Sequence, residues 1–212
     1  MSFRTRVKIC GITRVEDALA VSQSGVDAIG LVFYDKSPRN IGMAQAQAIC
    51  EALPAFVTVV ALFKDPEDVF VRSVIEQVPI DLLQFHGRET AAFCQSFKKP
   101  YIKAVGMEGQ HDVSGFSAQY RSARGLLLDS HAIGEDGGSG HVFDWGSIPT
   151  EIRSQITLAG GLNADNIASA IKQVRPFAVD ISSGVESSGG IKDEALIKAL
   201  MNEVKRVDCE HD

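Results

Sequence analysis

Short runs rich in Val, Ile, Leu and Phe recur along the chain, and segments with apolar residues at three- and four-residue spacing separate them. Compact β-branched runs read as strands and a 3.6-residue period reads as helix. This predicts strands at 6–10, 27–33, 57–63, 80–85, 101–105, 125–129, 156–160 and 177–182. Helix start signals fall between most of them. Thr13 precedes Val15-Glu16-Asp17-Ala18-Leu19, Gly42 precedes 44–53, Asp65 precedes Pro66-Glu67-Asp68, and Asn163 precedes 165–174, with a further helical segment at 89–97. The connection 106–124 is Gly- and Ser-rich with a weak helical pattern, and 130–155 reads mostly as loop.

Strand and helix alternation without a Pro/Ser-rich linker predicts one domain over 1–212, an α/β fold of the closed (β/α)8 or TIM-barrel type. Such barrels usually take about 250 residues, so this one has short loops. The alternative, an open doubly wound sheet, carries its Gly-rich turn after the first strand. Here the first strand ends in Cys10-Gly11-Ile12-Thr13 and the strongest glycine signals follow the seventh and eighth, which favours the barrel.

Charge and cysteine usage narrow the partners. A net charge of -6 with scattered Lys and Arg gives no basic footprint, so nucleic acid is not expected as a partner. No apolar run approaches the roughly 18 residues that span a bilayer, and residues 1–6 hold no apolar leader core. A cytoplasmic protein without a membrane partner is expected, as a monomer or a homodimer. Cys10, Cys50, Cys94 and Cys209 lie far apart without C-x-x-C or Cys/His ligand spacing, which argues for free thiols and against a zinc site.

Candidate chemistry sits at the strand ends, where a parallel barrel builds its site. Leu158-Ala159-Gly160-Gly161-Leu162-Asn163 and Ile181-Ser182-Ser183-Gly184-Val185-Glu186 follow the last two strands. Either glycine pair alone reads as a tight turn; together they point to a phosphate held by backbone N–H groups. Cys10 and Asp129 end strands one and six and could face each other across the mouth. A thiol of ordinary pKa, about 8.5, needs a nearby cation or amide dipoles to act as a base at neutral pH. Lys8, on the same face as Cys10, either supplies that field or pairs inside the barrel with Asp180. Arg39, in a loop held by Pro38, suits a carboxylate. His86 ends strand four on the face of Gln84, as a rim residue or a substrate contact. Loop 134–141 is long, Gly-rich and acidic, a lid or a linker, with Trp145 packed at its far end.

Taken in order, Lys8-Ile9-Cys10-Gly11-Ile12, Ser37-Pro38-Arg39, Gln84-Phe85-His86-Gly87, Leu128-Asp129-Ser130, Gly137-Gly138-Ser139-Gly140, Phe143-Asp144-Trp145, Leu158-Ala159-Gly160-Gly161-Leu162-Asn163 and Ser182-Ser183-Gly184-Val185-Glu186 resemble the phosphoribosylanthranilate isomerases of tryptophan biosynthesis. Phe85, Ala61 and Ser139 depart mildly from that pattern without removing a chemical group. The resemblance implies a cofactor-free Amadori rearrangement of a small phosphosugar substrate. It implies Asp129 as general acid, Cys10 as general base, and Arg39, His86, Gly160, Gly161, Asp180, Ser182, Ser183 and Gly184 as the binding set. Two alternatives stand beside it: the related histidine-pathway isomerase, which has Asp where this chain has Cys10, and a non-catalytic phosphate-binding barrel.

Overall fold

Eight strands pair in parallel, each with the next, and the eighth returns to the first to close a barrel. The computed structural model describes residues 4–109, 112–132 and 142–210, with backbone only at 131–132. In chain order the elements are β1 (Arg6–Cys10), α1 (Val15–Gln23), β2 (Ala28–Phe33), α2 (Met43–Ala52), β3 (Thr58–Phe63), α3 (Asp68–Gln77), β4 (Leu82–Phe85), α4 (Ala91–Gln95), β5 (Tyr101–Glu108), α5 (Val113–Gln119), β6 (Leu126–Ala132), β7 (Thr157–Leu158), α6 (Ile167–Val174) and β8 (Ala178–Ile181). A hairpin of β9 (Glu186–Ser188) and β10 (Ile191–Lys192) and a final helix α7 (Glu194–Cys209) complete the chain. Among the described residues no helix is long and apolar enough to cross a membrane.

Strand residues alternate between two apolar layers, which is why the strands read as continuous apolar runs. Val7, Ile9, Ile29, Leu31, Phe63, Leu83 and Phe85 point outward into the large core shared with the helices. Ile102, Ala104, Leu127 and Ala159 fill the barrel interior with Leu82 against them. Above that plug the inward positions turn polar. Lys8, Gln84, Asp129 and Asp180 are all buried there. The registry sets Lys8 opposite Asp180, so alternation alone brings the two charges together.

Several boundaries depart from the sequence pattern for local reasons. β7 keeps only Thr157–Leu158 of the expected 156–160, because Gly160 and Gly161 turn to positive φ (86° and 62°). The helix expected at 89–97 starts at Ala91, with Thr90 accepting from the Phe93 amide; Glu89 instead turns inward to Lys103 (3.1 Å). The loop 130–155 contains two short 3-10 turns, Trp145–Ser147 and Thr150–Gln155. The sequence reading had no place for α7. Asp193 caps it by accepting from the Ala195 and Leu196 amides, and Ile197, Leu200, Met201, Val204 and Val207 form its buried stripe.

Candidate active site

Of the ten residues singled out from the sequence, Cys10, Arg39, His86, Asp129, Gly160, Gly161, Asp180, Ser182 and Ser183 line one cavity at the carboxyl ends of the strands. Gly184 stands behind that wall. A Cβ there would lie 2.0 Å from the Leu162 carbonyl oxygen, so it is the point where the loops after β7 and β8 touch. The wall continues through residues the sequence left unassigned, among them Tyr34, Lys36, Lys64 and Gln84. Loop 134–141 lies outside the described residues; Trp145 beyond it packs against the main core.

Asp129 faces inward from β6, two residues after the interior Leu127. Its Oδ1 accepts from the Ser130 amide (2.7 Å), and its Oδ2 faces His86 Nε2 at 3.6 Å. The Gln84 amide donates to the other ring nitrogen of His86 (3.1 Å), which fixes the imidazole edge turned to Asp129. Two acceptors on the cavity wall are buried without a hydrogen-bond partner among the described residues: Gln84 Oε1 and Asp180 Oδ1. An orphaned buried acceptor costs stability unless a ligand satisfies it.

Both roles weighed for Lys8 occur together. Its Nζ donates to Asp180 Oδ2 at 2.7 Å, and its charge acts on Cys10 beside it over Gly30. Burial alone would lower the Lys8 pKa, but Asp180 and Cys10 hold it above the ordinary lysine value. Cys10 moves against the expected direction. Burial pushes the thiol above its ordinary pKa, while Lys8 and, more weakly, Lys192 draw it back. The cation that the sequence required is present; desolvation, with the Asp180 carboxylate acting in the same direction, outweighs it.

Arg39 forms a fork with Glu186, Nε to Oε1 at 2.8 Å and Nη2 to Oε2 at 2.7 Å. Glu186 also accepts from Lys192 at 2.7 Å. Burial works to raise the Glu186 carboxyl, but those donors hold it below the usual carboxylate range. The local sequence marks Glu186 only as part of a motif and gives no signal for Lys192, because Arg39 and the Cys10 carbonyl that they hold lie across the barrel closure. Among the described residues no group of three or more His, Cys, Asp or Glu is arranged to hold a metal ion.

A closed parallel barrel with a thiol, a carboxyl and two glycine-containing loops at its mouth defines a class, the (β/α)8 enzymes that work by proton transfer on a small substrate. A sequence model of N-(5'-phosphoribosyl)anthranilate (PRA) isomerase matches residues 7–203. An N-(5'-phosphoribosyl)anthranilate isomerase of Alcanivorax borkumensis is 51% identical over 207 residues, covering 94% of this chain and 95% of its own. One from Halorhodospira halophila is 52% identical over 205 residues, covering 97% and 99%. The crystal structure of phosphoribosyl anthranilate isomerase from Thermotoga maritima superposes with a TM-score of 0.86 at 42% identity, covering 95% of this chain and 99% of that one. A second such structure, in complex with reduced 1-(o-carboxyphenylamino)-1-deoxyribulose 5-phosphate, has a TM-score of 0.82 at 40% identity, with 95% and 99% covered. The chain belongs to the N-(5'-phosphoribosyl)anthranilate isomerase family.

Proposed function

We propose that the chain converts N-(5-phosphoribosyl)anthranilate to 1-(2-carboxyphenylamino)-1-deoxyribulose 5-phosphate, the Amadori step of tryptophan biosynthesis, in the cytoplasm, with Cys10 as base and Asp129 as acid. The observation that carries the assignment of roles is that these two groups enter one cavity from β1 and β6, non-adjacent strands three places apart round the barrel. A related structure at 40% identity binds a reduced form of the product, which supports this substrate class.

Asp129 gives its proton to the furanose ring oxygen. The C1–O bond breaks and the anilino nitrogen lone pair forms the C1=N bond of a Schiff base. Cys10, as thiolate, then takes the proton from C2, and the C–H electrons flow through C1 to nitrogen, giving an enolamine that tautomerises to the amino ketone. The two transfers need only a proton donor and an acceptor, so no cofactor enters. His86 steadies the acid through its Nε2 edge. Asp180 Oδ1 and Gln84 Oε1 accept from sugar hydroxyls.

Backbone amides around Gly160, Gly161, Ser182, Ser183 and Gly184 hold the phosphate, since neither short loop carries Lys or Arg. Arg39 lies along the wall formed by Pro38 and Tyr34 and holds the anthranilate carboxylate with the edge of its guanidinium that Glu186 does not occupy. The test is turnover of phosphoribosylanthranilate generated in situ, followed by loss of anthranilate-type fluorescence. Turnover without added cofactor supports the reading. Phosphate binding without turnover would make the protein a binding barrel instead.

A further inference from the structure

Lys192 has no part in the acid–base scheme, yet its side chain is 0% exposed. Its ammonium donates to the Cys10 carbonyl oxygen (2.6 Å), the Ser182 carbonyl oxygen (3.1 Å) and Glu186 Oε1 (2.7 Å). An ammonium has three donors, so three acceptors satisfy it fully; burial lowers the Lys192 pKa, and Glu186 and Cys10 act against that to keep the charge. The backbone of Lys192 is pinned as well, its amide donating to Asp17 Oδ2 at 3.1 Å.

Five titratable groups are linked in one network about Cys10, which Lys192 joins through the Cys10 carbonyl. β1 contributes Lys8, β8 Asp180, β9 Glu186, β10 Lys192, and the loop after β2 Arg39. β2 itself presents Gly30: a Cβ there would lie 2.6 Å from Cys10 Sγ and 3.0 Å from Lys8 Nζ, so the thiol and the ammonium meet over a bare backbone. Asp129 and His86 face the cluster across the cavity, and Lys36 and Lys64 stand further round its rim. The inner ring thus holds three cations and two anions. A thiolate at Cys10 makes it neutral.

We propose that Lys192 is a positioning residue that supplies the unmatched cation of this ring, so that the Cys10 thiolate formed for the base step is compensated inside a desolvated site. Lys8 does not serve in its place, because Asp180 at 2.7 Å matches it alone, whereas Lys192 shares the one carboxylate of Glu186 with the Arg39 fork, which leaves a cation over. The inference rests on Cys10 being the base, and it goes further in naming what makes the thiolate tolerable there. Burial raises the cost of that thiolate, and Lys8 and Lys192 both act to lower it.

The test is the pH dependence of Cys10 alkylation by iodoacetamide in the intact protein, read by peptide mass spectrometry so that Cys50, Cys94 and Cys209 are scored separately. Lys192→Met brings the ring to two cations and two anions, and its alkylation midpoint should rise by at least about one pH unit, a tenfold loss of thiolate at fixed pH. Glu186→Gln removes an anion and should lower the midpoint. The double variant restores an excess of one cation and should return the midpoint towards that of the parent protein. A lysine that merely braces the hairpin would leave the midpoint unmoved in Lys192→Met and would leave the double variant at the midpoint of Glu186→Gln, and either result overturns the proposal. Should Lys192→Met fail to fold, the direction of the Glu186→Gln shift and the position of the double variant decide the matter. Alkylation reports on the thiol whether or not turnover uses it, so a failed base assignment would show separately, as undiminished turnover in Cys10→Ser.

Discussion

Gly184→Ala isolates the contact between the two phosphate loops. The new methyl would start 2.0 Å from the Leu162 carbonyl oxygen and 3.0 Å from Asn163 Cβ, whereas real Cβ atoms essentially never come closer than 3.0 Å to a neighbour. The loops must therefore part by about 1 Å, the shortfall between 2.0 and 3.0 Å. Neither backbone yields easily. Asn163 accepts from the Asp165 amide and its own amide donates to Asn166 Oδ1, while Asn166 Nδ2 ties back to the Gly161 carbonyl. On the other side Ser182 Oγ donates to the Cys10 carbonyl and Lys192 holds the Ser182 carbonyl. Overpacking of this kind costs about 1–3 kcal/mol, a fall in Tm of roughly 2–12 °C for a chain of this size. A displacement of about 1 Å at a binding loop is worth up to about 100-fold in function. Steady-state kinetics should show KM for phosphoribosylanthranilate and Ki for inorganic phosphate rising together, by roughly 10- to 100-fold. The reasoning fails if both constants stay at parent values. A rise in KM with Ki unchanged would move the phosphate away from these loops.

Arg39→Lys keeps the charge but loses the fork on Glu186 and the planar edge offered to a carboxylate, so KM should rise by about tenfold, one charged hydrogen bond, with a smaller change in kcat; a collapse of kcat at constant KM would remove Arg39 from the carboxylate subsite. Asp129→Asn keeps shape but cannot donate a carboxyl proton, and should depress kcat by about 100-fold or more with KM little changed; near-parent kcat would hand the acid role to another group. In the free protein, alkylation of Cys10 by iodoacetamide should climb with pH through a midpoint above the ordinary thiol value, because the thiolate is the nucleophile and burial raises the Cys10 pKa. A profile already flat at neutral pH would contradict that direction.

What the sequence made legible was whatever depended on local pattern. The strands are buried on both faces, so their apolar runs stand out. Alternation alone places Lys8 and Cys10 on one inward face. α7 was legible too, through Asp193 and the spacing of Ile197, Leu200, Met201 and Val204, and was passed over. Of the charge ring only the Lys8–Asp180 pair was legible. Arg39 and Glu186 are 147 residues apart and Lys192 is 182 residues from the Cys10 carbonyl it holds; a lone lysine after a Gly-Gly turn carries the same local pattern as one in solvent. Nor does a sequence give a desolvation energy. The thiol was therefore expected to be shifted down by its cation, whereas enclosure shifts it up.

The central claim, that Cys10 is the base, is tested most directly by kcat of Cys10→Ser on phosphoribosylanthranilate. Serine keeps the volume and the backbone contacts to Lys192 and Ser182, but its hydroxyl is a far weaker acid than the thiol and supplies almost no alkoxide. The account predicts kcat lowered by about 100-fold or more with KM near that of the parent. A Cys10→Ser enzyme turning over at a near-parent rate would contradict it and reduce Cys10 to a packing residue.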